Sequence, residues 1–313
     1  LLIIVSIISL AKGSVYIPNE DIWLAIFKKG ELINQTIIWE LRLPRLICSL
    51  LVGSALGMSG ALLQGMLMNG LASPYLLGIS AGSGLVIVFF ISFGLLQSFI
   101  PFAAWMGAIL TTLIVFILSK DGNKIVVERL VLGGVAISSL FGAIQATLLL
   151  QVEDGRIQAA LNWLIGSLNS RGWQEINFAG LPILIALFIG LFLSRQLNLL
   201  SLGDELSVSL GNSLFRSRCL IGAVATLLAA CAVSIGGLIG FIGLIVPHFS
   251  RLLIGYDFKY ILPFSALIGA LTLSSADLIS RLGPVEIPVG IVTALIGAPI
   301  FMFILYKRTG YNK

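Results

Sequence analysis

The sequence predicts an all-α membrane protein that crosses the bilayer about ten times as a single domain, residues 1–313. Three observations carry this prediction. Of the 313 residues, 58% are hydrophobic and 11% charged, whereas soluble domains carry about 25% charged residues. A soluble fold of this length could not cover so much apolar surface with polar groups. The apolar residues also run continuously, at lengths near the ~20 residues that span a bilayer as a helix, rather than in the ~10-residue alternating segments of a barrel. Finally, backbone in lipid must satisfy its own hydrogen bonds, which a helix does within one segment. A cytosolic enzyme, a nucleic-acid binder and a disordered chain are thereby excluded.

Taken in order, residues 1–11 are apolar but about half a span long. They are expected to be a first membrane helix whose start lies outside this sequence. Seven full-length runs follow: Leu43–Leu63, Tyr75–Leu96, Phe99–Ser119, Leu130–Gln151, Ile176–Ser194, Ile261–Ser280 and Ile287–Tyr306. The stretch Cys219–Gly255 would be roughly 55 Å as one helix, too long for one span. Gly236, Gly237, Gly240, Gly243 and Pro247 interrupt it and disfavour a continuous helix. It reads as a full helix to about Val233, a glycine turn, and a short re-entrant or half-length helix around Gly240–Leu253. Ten segments put both chain ends on one side.

Lys307, Arg308 and Lys313 place the C-terminus in the cytoplasm by the positive-inside rule. On that count eleven basic residues lie inside and eight outside. The weak bias leaves the outer arginines in need of a reason beyond headgroup anchoring.

The three cysteines, Cys48, Cys219 and Cys231, have no metal-ligand spacing, and the lone His248 lacks partner ligands. No metal site is expected. The glycine pairs Gly53/Gly57, Gly78/Gly82 and Gly236/Gly240 suit close helix packing. Within the spans the only expected charge is Asp277, with Arg281 one turn on, so no membrane-embedded charge network is expected. That counts against an ion-coupled secondary carrier. No G-x-x-x-x-G-K-[ST] occurs, so any ATP used is bound elsewhere.

Several blocks, in order, carry a resemblance. They are Leu41-Arg42-Leu43-Pro44-Arg45, Leu51–Gly57 with Ser59–Gln64, Asn69–Pro74, Leu202-Gly203-Asp204-Glu205 with Leu210-Gly211, Gly240–His248 with Arg251, and Ala276-Asp277, Arg281 and Glu286–Ile291. Together they resemble the permease subunits of bacterial ABC importers for iron chelates and cobalamin, over nearly the whole chain. The resemblance implies a non-enzymatic subunit with no catalytic residues and no cofactor of its own. It also implies a second permease subunit, two ATP-binding subunits carrying ATP and Mg on the cytoplasmic side, and an extracytoplasmic substrate-binding protein. The location implied is the cytoplasmic membrane of a bacterium or archaeon. The cargo implied is a ferric siderophore, with cobalamin, haem or molybdate/tungstate as alternatives.

Residue by residue, the resemblance makes Arg42, Arg45 and Arg281 sockets for acidic groups of the binding protein, a pairing that a guanidinium fork suits. The segment 199–216 becomes the coupling segment, two short helices for the ATPase, with Leu202, Gly203, Asp204, Glu205, Ser207, Leu210 and Gly211 as its residues. Ser207 stands where the family commonly has Ala, and Gly70 where it commonly has Pro. Val127, Glu128, Arg129, Gly133, Gly134 and Ser138 fall on the gate and translocation path.

Overall fold

The computed structural model describes residues 1–13, 17–95, 99–122, 124–151, 154–283 and 285–309. Lys313 and Leu96, the end of one expected span, lie outside them. The described chain is mostly helical: α1 (Leu2–Ala11), α2 (Asn19–Ile26), α3 (Leu32–Thr36), a π-helical stretch (Ile37–Arg42), α4 (Leu43–Met66), a 3-10 turn (Pro74–Leu77), α5 (Ile79–Ser92) and α6 (Ile100–Ser119). A small antiparallel hairpin follows, β1 (Lys120–Asp121) with β2 (Lys124–Ile125). Then come α7 (Val127–Leu149), α8 (Asp154–Ile165), α9 (Trp173–Phe192), α10 (Ser194–Leu200), α11 (Asp204–Ser209), α12 (Leu214–Gly236), α13 (Ile242–Ile254), α14 (Phe258–Ser280) and α15 (Val289–Thr309).

Among the described residues six helical stretches are long and apolar enough to cross a membrane: Leu32–Met66, α6, α7, α9, α12 and α14. Four shorter apolar helices, α1, α5, α13 and the apolar part of α15, are 10–17 residues long. Two expectations change. The run from Tyr75 is not one helix, because Pro74 opens a 3-10 turn and Gly78 takes a left-handed φ of 75°, leaving α5 at 14 residues. The two short helices expected within 199–216 are α10, which starts earlier at Ser194, and α11.

The run into α4 has a local cause for its irregularity. Pro44 sits in its first turn, and proline has no N–H and crowds the carbonyl four residues back. The ladder widens to π spacing, with Leu43 N–H reaching the Ile38 carbonyl.

α4 and α12 form the centre, each about four-fifths buried over its most apolar stretch, whereas α7 is only about one-tenth buried. Glycine lets α4 touch its neighbours backbone to backbone. A Cβ on Gly53 or Gly57 would overlap the α14 carbonyls of Gly269 or Ser265, and one on Gly60 the α13 carbonyl of Gly243. Without a hydrophobic drive between helices in lipid, this close dispersion packing holds the bundle.

Between α12 and α13 the chain leaves helical geometry inside the bundle. Such backbone is tolerated only where protein satisfies it. Leu238 N–H donates to the Trp163 carbonyl and Ser167 N–H to the Gly236 carbonyl. Tyr75 Oη donates to the Ile239 carbonyl. Gly290 N–H, at the head of α15, donates to the carbonyl of Gly166, the residue after α8.

Candidate functional site

One end of the bundle carries the predicted arginines. Arg45, one turn into α4, donates from Nε to Asp277 Oδ1 of α14 and from Nη1 to Glu286 Oε2, both at 3.0 Å. Arg281, following α14, places Nη2 3.1 Å from Asp277 Oδ2 and donates to Ser9 Oγ of α1. That pair is close enough for ionic attraction but out of line for a hydrogen bond, and Oδ2 has no hydrogen-bond partner. Asp277 is 1% exposed. The expectation that no embedded charge network exists is therefore corrected. Arg45, Asp277, Arg281 and Glu286 form one, and Arg45, 232 residues from Asp277, is the member that spacing could not reveal.

Arg42 is placed differently from the other two. Its side chain is buried, and Nη1 donates to the Leu10 and Ala11 carbonyls at 2.6 and 2.9 Å. Those are among the last carbonyls of α1, which the helix itself leaves unpaired, and a cation there also suits the helix dipole. The π-helical stretch delivers Arg42 to this position. In this conformation each of the three guanidiniums is engaged within the chain.

The opposite end carries the predicted coupling segment. Gly203 and Gly211 have φ of 94° and 82°, left-handed values that favour glycine, and they separate α10, α11 and α12. Asp204 and Glu205 occupy the first turn of α11, where negative charge is favoured. Ser207 is buried and its Oγ accepts from Asn212 Nδ2 at 2.8 Å, while Ser217 Oγ donates to Asn212 Oδ1. The hydroxyl thus has a use that alanine would lack. Leu202, Leu206, Val208 and Leu210 are all more than half exposed, an apolar face left open by the described residues.

Two further ties root this end. Asn198 of α10 donates from Nδ2 to Asp257 Oδ1 at 2.7 Å and accepts from Phe258 N–H at the head of α14. The Asn198 amide and the Lys259 N–H hold the Asp257 carboxyl below the usual carboxylate range. Arg251, in the last turn of α13, donates to Gln64 Oε1 at 2.7 Å, and Gln64 Nε2 donates to the Leu244 carbonyl. Arg251, Gln64, His248 and Tyr256 line a cavity of about 1240 Å³ at this end. Among the described residues no group of three or more His, Cys, Asp or Glu is placed to hold a metal ion. Gly70 lies in a turn made by its neighbour: Asn69 Oδ1 accepts from Leu71 N–H.

The predicted gate residues lie along α7. Val127, Glu128 and Arg129 form its first turn, with Arg129 3.6 Å from Asp121 of the hairpin, both exposed. Gly134 is buried where a Cβ would overlap the Leu76 carbonyl. Ser138 stands beside Gly78, while Gly133 has open space around it.

The FecCD transport family profile matches residues 1–307. The chain belongs to the FecCD transport family. It is thus a multi-pass membrane permease of the ABC importer type, with ATP hydrolysis lying on a partner. The probable siderophore transport system permease protein YfhA of Bacillus subtilis (strain 168) is 36% identical over 97% of this chain and 91% of its own length. The vitamin B12 import system permease protein BtuC of Vibrio cholerae is also 36% identical, over 94% of this chain and 89% of its own. A solved inward-facing conformation of a transporter assigned to the metal-chelate ABC type superposes with a TM-score of 0.88 at 34% identity, covering 98% of this chain and 96% of that one.

Proposed function

We propose that this chain is the permease subunit of a binding-protein-dependent importer that carries an iron chelate, a ferric siderophore, across the bacterial or archaeal cytoplasmic membrane. The observation that carries the reading is the match to FecCD permeases over nearly the whole chain, in sequence and in fold. The four short apolar helices complete a ten-segment path, with both ends and the 199–216 segment on the cytoplasmic side. Two such subunits line the path between them. ATP and Mg sit on two partner ATPases, which grip the exposed apolar face around Leu206. The permease contributes alternate states and no covalent chemistry.

The cluster of Arg42, Arg45 and Arg281 forms the docking end for an acidic face of the binding protein. Arg45 meets the partner first, because Glu286, its outer carboxylate, is 40% exposed and exchangeable with one from outside. In this picture Arg42 also holds α1 in place. The α7 residues Val127 to Ser138 form the gate, which suits the poor coverage of that helix by its own chain.

Reconstitution with the cognate ATPase and binding protein tests the reading. Uptake of a ferric siderophore that needs ATP hydrolysis is expected. Uptake that survives without hydrolysis and follows a proton or sodium gradient overturns it. The name of the Vibrio relative favours a second cargo, cobalamin. Haem and molybdate/tungstate complete the cargo panel, and the chelate bound by the cognate binding protein decides among them.

A further inference from the structure

One side chain at the coupling end joins three elements, and sequence counting gave it no role beyond its charge. Arg218 lies one turn into α12 and is 4% exposed. Its Nη2 donates to both carboxylate oxygens of Asp204, at 2.8 and 3.0 Å, and its Nη1 donates to the Ile125 carbonyl at 3.0 Å. Asp204 opens α11. Ile125 is a buried residue of β2, two positions before α7 begins. The hairpin continues the connection: Val126 N–H donates to the Ser119 carbonyl, and Arg129 in the first turn of α7 faces Asp121 of β1.

We propose that Arg218 is the positioning residue through which movement of α11 reaches α7. A guanidinium is planar, with its donors in fixed directions. A group bonded on one side to α11 and on the other to the backbone at the root of α7 therefore moves the two together. Its bonds to Asp204 are charge-assisted and so stronger than ordinary ones. Burial keeps water from replacing the Ile125 bond. A lysine at this place would bring the charge but only a point donor, unable to hold the carboxylate and the carbonyl in one plane. The argument rests on the reading that the 199–216 segment receives force from the ATPase.

The test uses the full complex of permease, ATPase and binding protein in lipid vesicles, with Arg218→Lys and Arg218→Gln. Expected is hydrolysis near the wild-type rate, with transported chelate per ATP reduced about tenfold, the scale of one lost charge-assisted hydrogen bond. Hydrogen exchange on the same complexes supplies a readout that a purely structural role would not move. In the wild type, adding nucleotide should change protection of residues 199–212 and 124–130 together. In Arg218→Lys it should change only the first. If a variant does not assemble, the wild-type exchange alone decides, since the two segments responding independently overturns the proposal. Wild-type transport per ATP in the variants also overturns it. A wild-type complex with no ATP-driven uptake is a different result, because it refutes the parent reading and the tie along with it.

Discussion

Arg45 and Asp277 stand 232 residues apart in the chain and 3.0 Å apart in space. The pair joins the start of α4 to the last turns of α14. Asp277 is also paired with Arg281, so its removal takes the buried carboxylate from two cations that are each 11% exposed or less and leaves Arg45 only the half-exposed Glu286. Breaking a buried pair by deleting one partner costs ~3–5 kcal/mol. Asp277→Ala should therefore lower the apparent Tm of the purified protein sharply. Glu286→Ala removes a 40%-exposed partner and should cost under ~1 kcal/mol. Equal losses for the two would show that burial of Asp277 is not what matters.

Gly60 and Gly240 make a second comparison. A methyl group at Gly60 must push α4 away from the Gly243 backbone, whereas one at Gly240 meets nothing within 4 Å. Gly60→Ala should destabilise by ~1–3 kcal/mol through overpacking, and Gly240→Ala should stay within ~0.5 kcal/mol of the wild type. Thermal unfolding of both variants in the same detergent checks the contrast.

The Asn198–Asp257 tie should respond to pH. The Asp257 carboxyl is held below its ordinary value by the Asn198 amide first and the Lys259 N–H second. A depressed carboxylate contributes stability that is present above its unfolded value, about 3.9, and is lost as pH falls through the folded one. Hydrogen exchange of residues 194–200 and 258–261 should then be insensitive to this group from pH 8 to 5 and rise only below about pH 4. Asp257→Asn should show the acid-like exchange already at pH 7.

The legible part of this molecule was the part with a period or a punctuation mark. Apolar runs placed α6 to within a residue and α9, α12 and α14 to within about five residues at either end. Gly236, Gly237 and Gly240 marked the break before α13, whereas Gly243 and Pro247, expected to interrupt the helix, lie inside it, and Gly203 and Gly211 marked the limits of α11. The illegible part was pairing. Asp277 beside Arg281 looked like a lone local couple, because the residue completing the network, Arg45, lies on another helix. Arg218 was counted as one inner charge among several, because its backbone acceptor at Ile125 leaves no trace in residue type. The bonds of Arg42 to the Leu10 and Ala11 carbonyls were illegible for the same reason, since backbone acceptors on the short α1 carry no pattern that spacing arguments detect.

The end of α8 and the connection after it are bound to two other parts of the bundle. Residues 163–167 supply hydrogen-bond partners to Gly236 and Leu238, and Gly166 accepts from the head of α15. Shortening that link by one residue would orphan donors and acceptors deep in the bundle, where no water replaces them. Its tolerance to insertion or deletion is thus set by the needs of two distant helices. For a designer seeking a loop in which to place a tag or a sensor, this is one of the poorest choices in the chain.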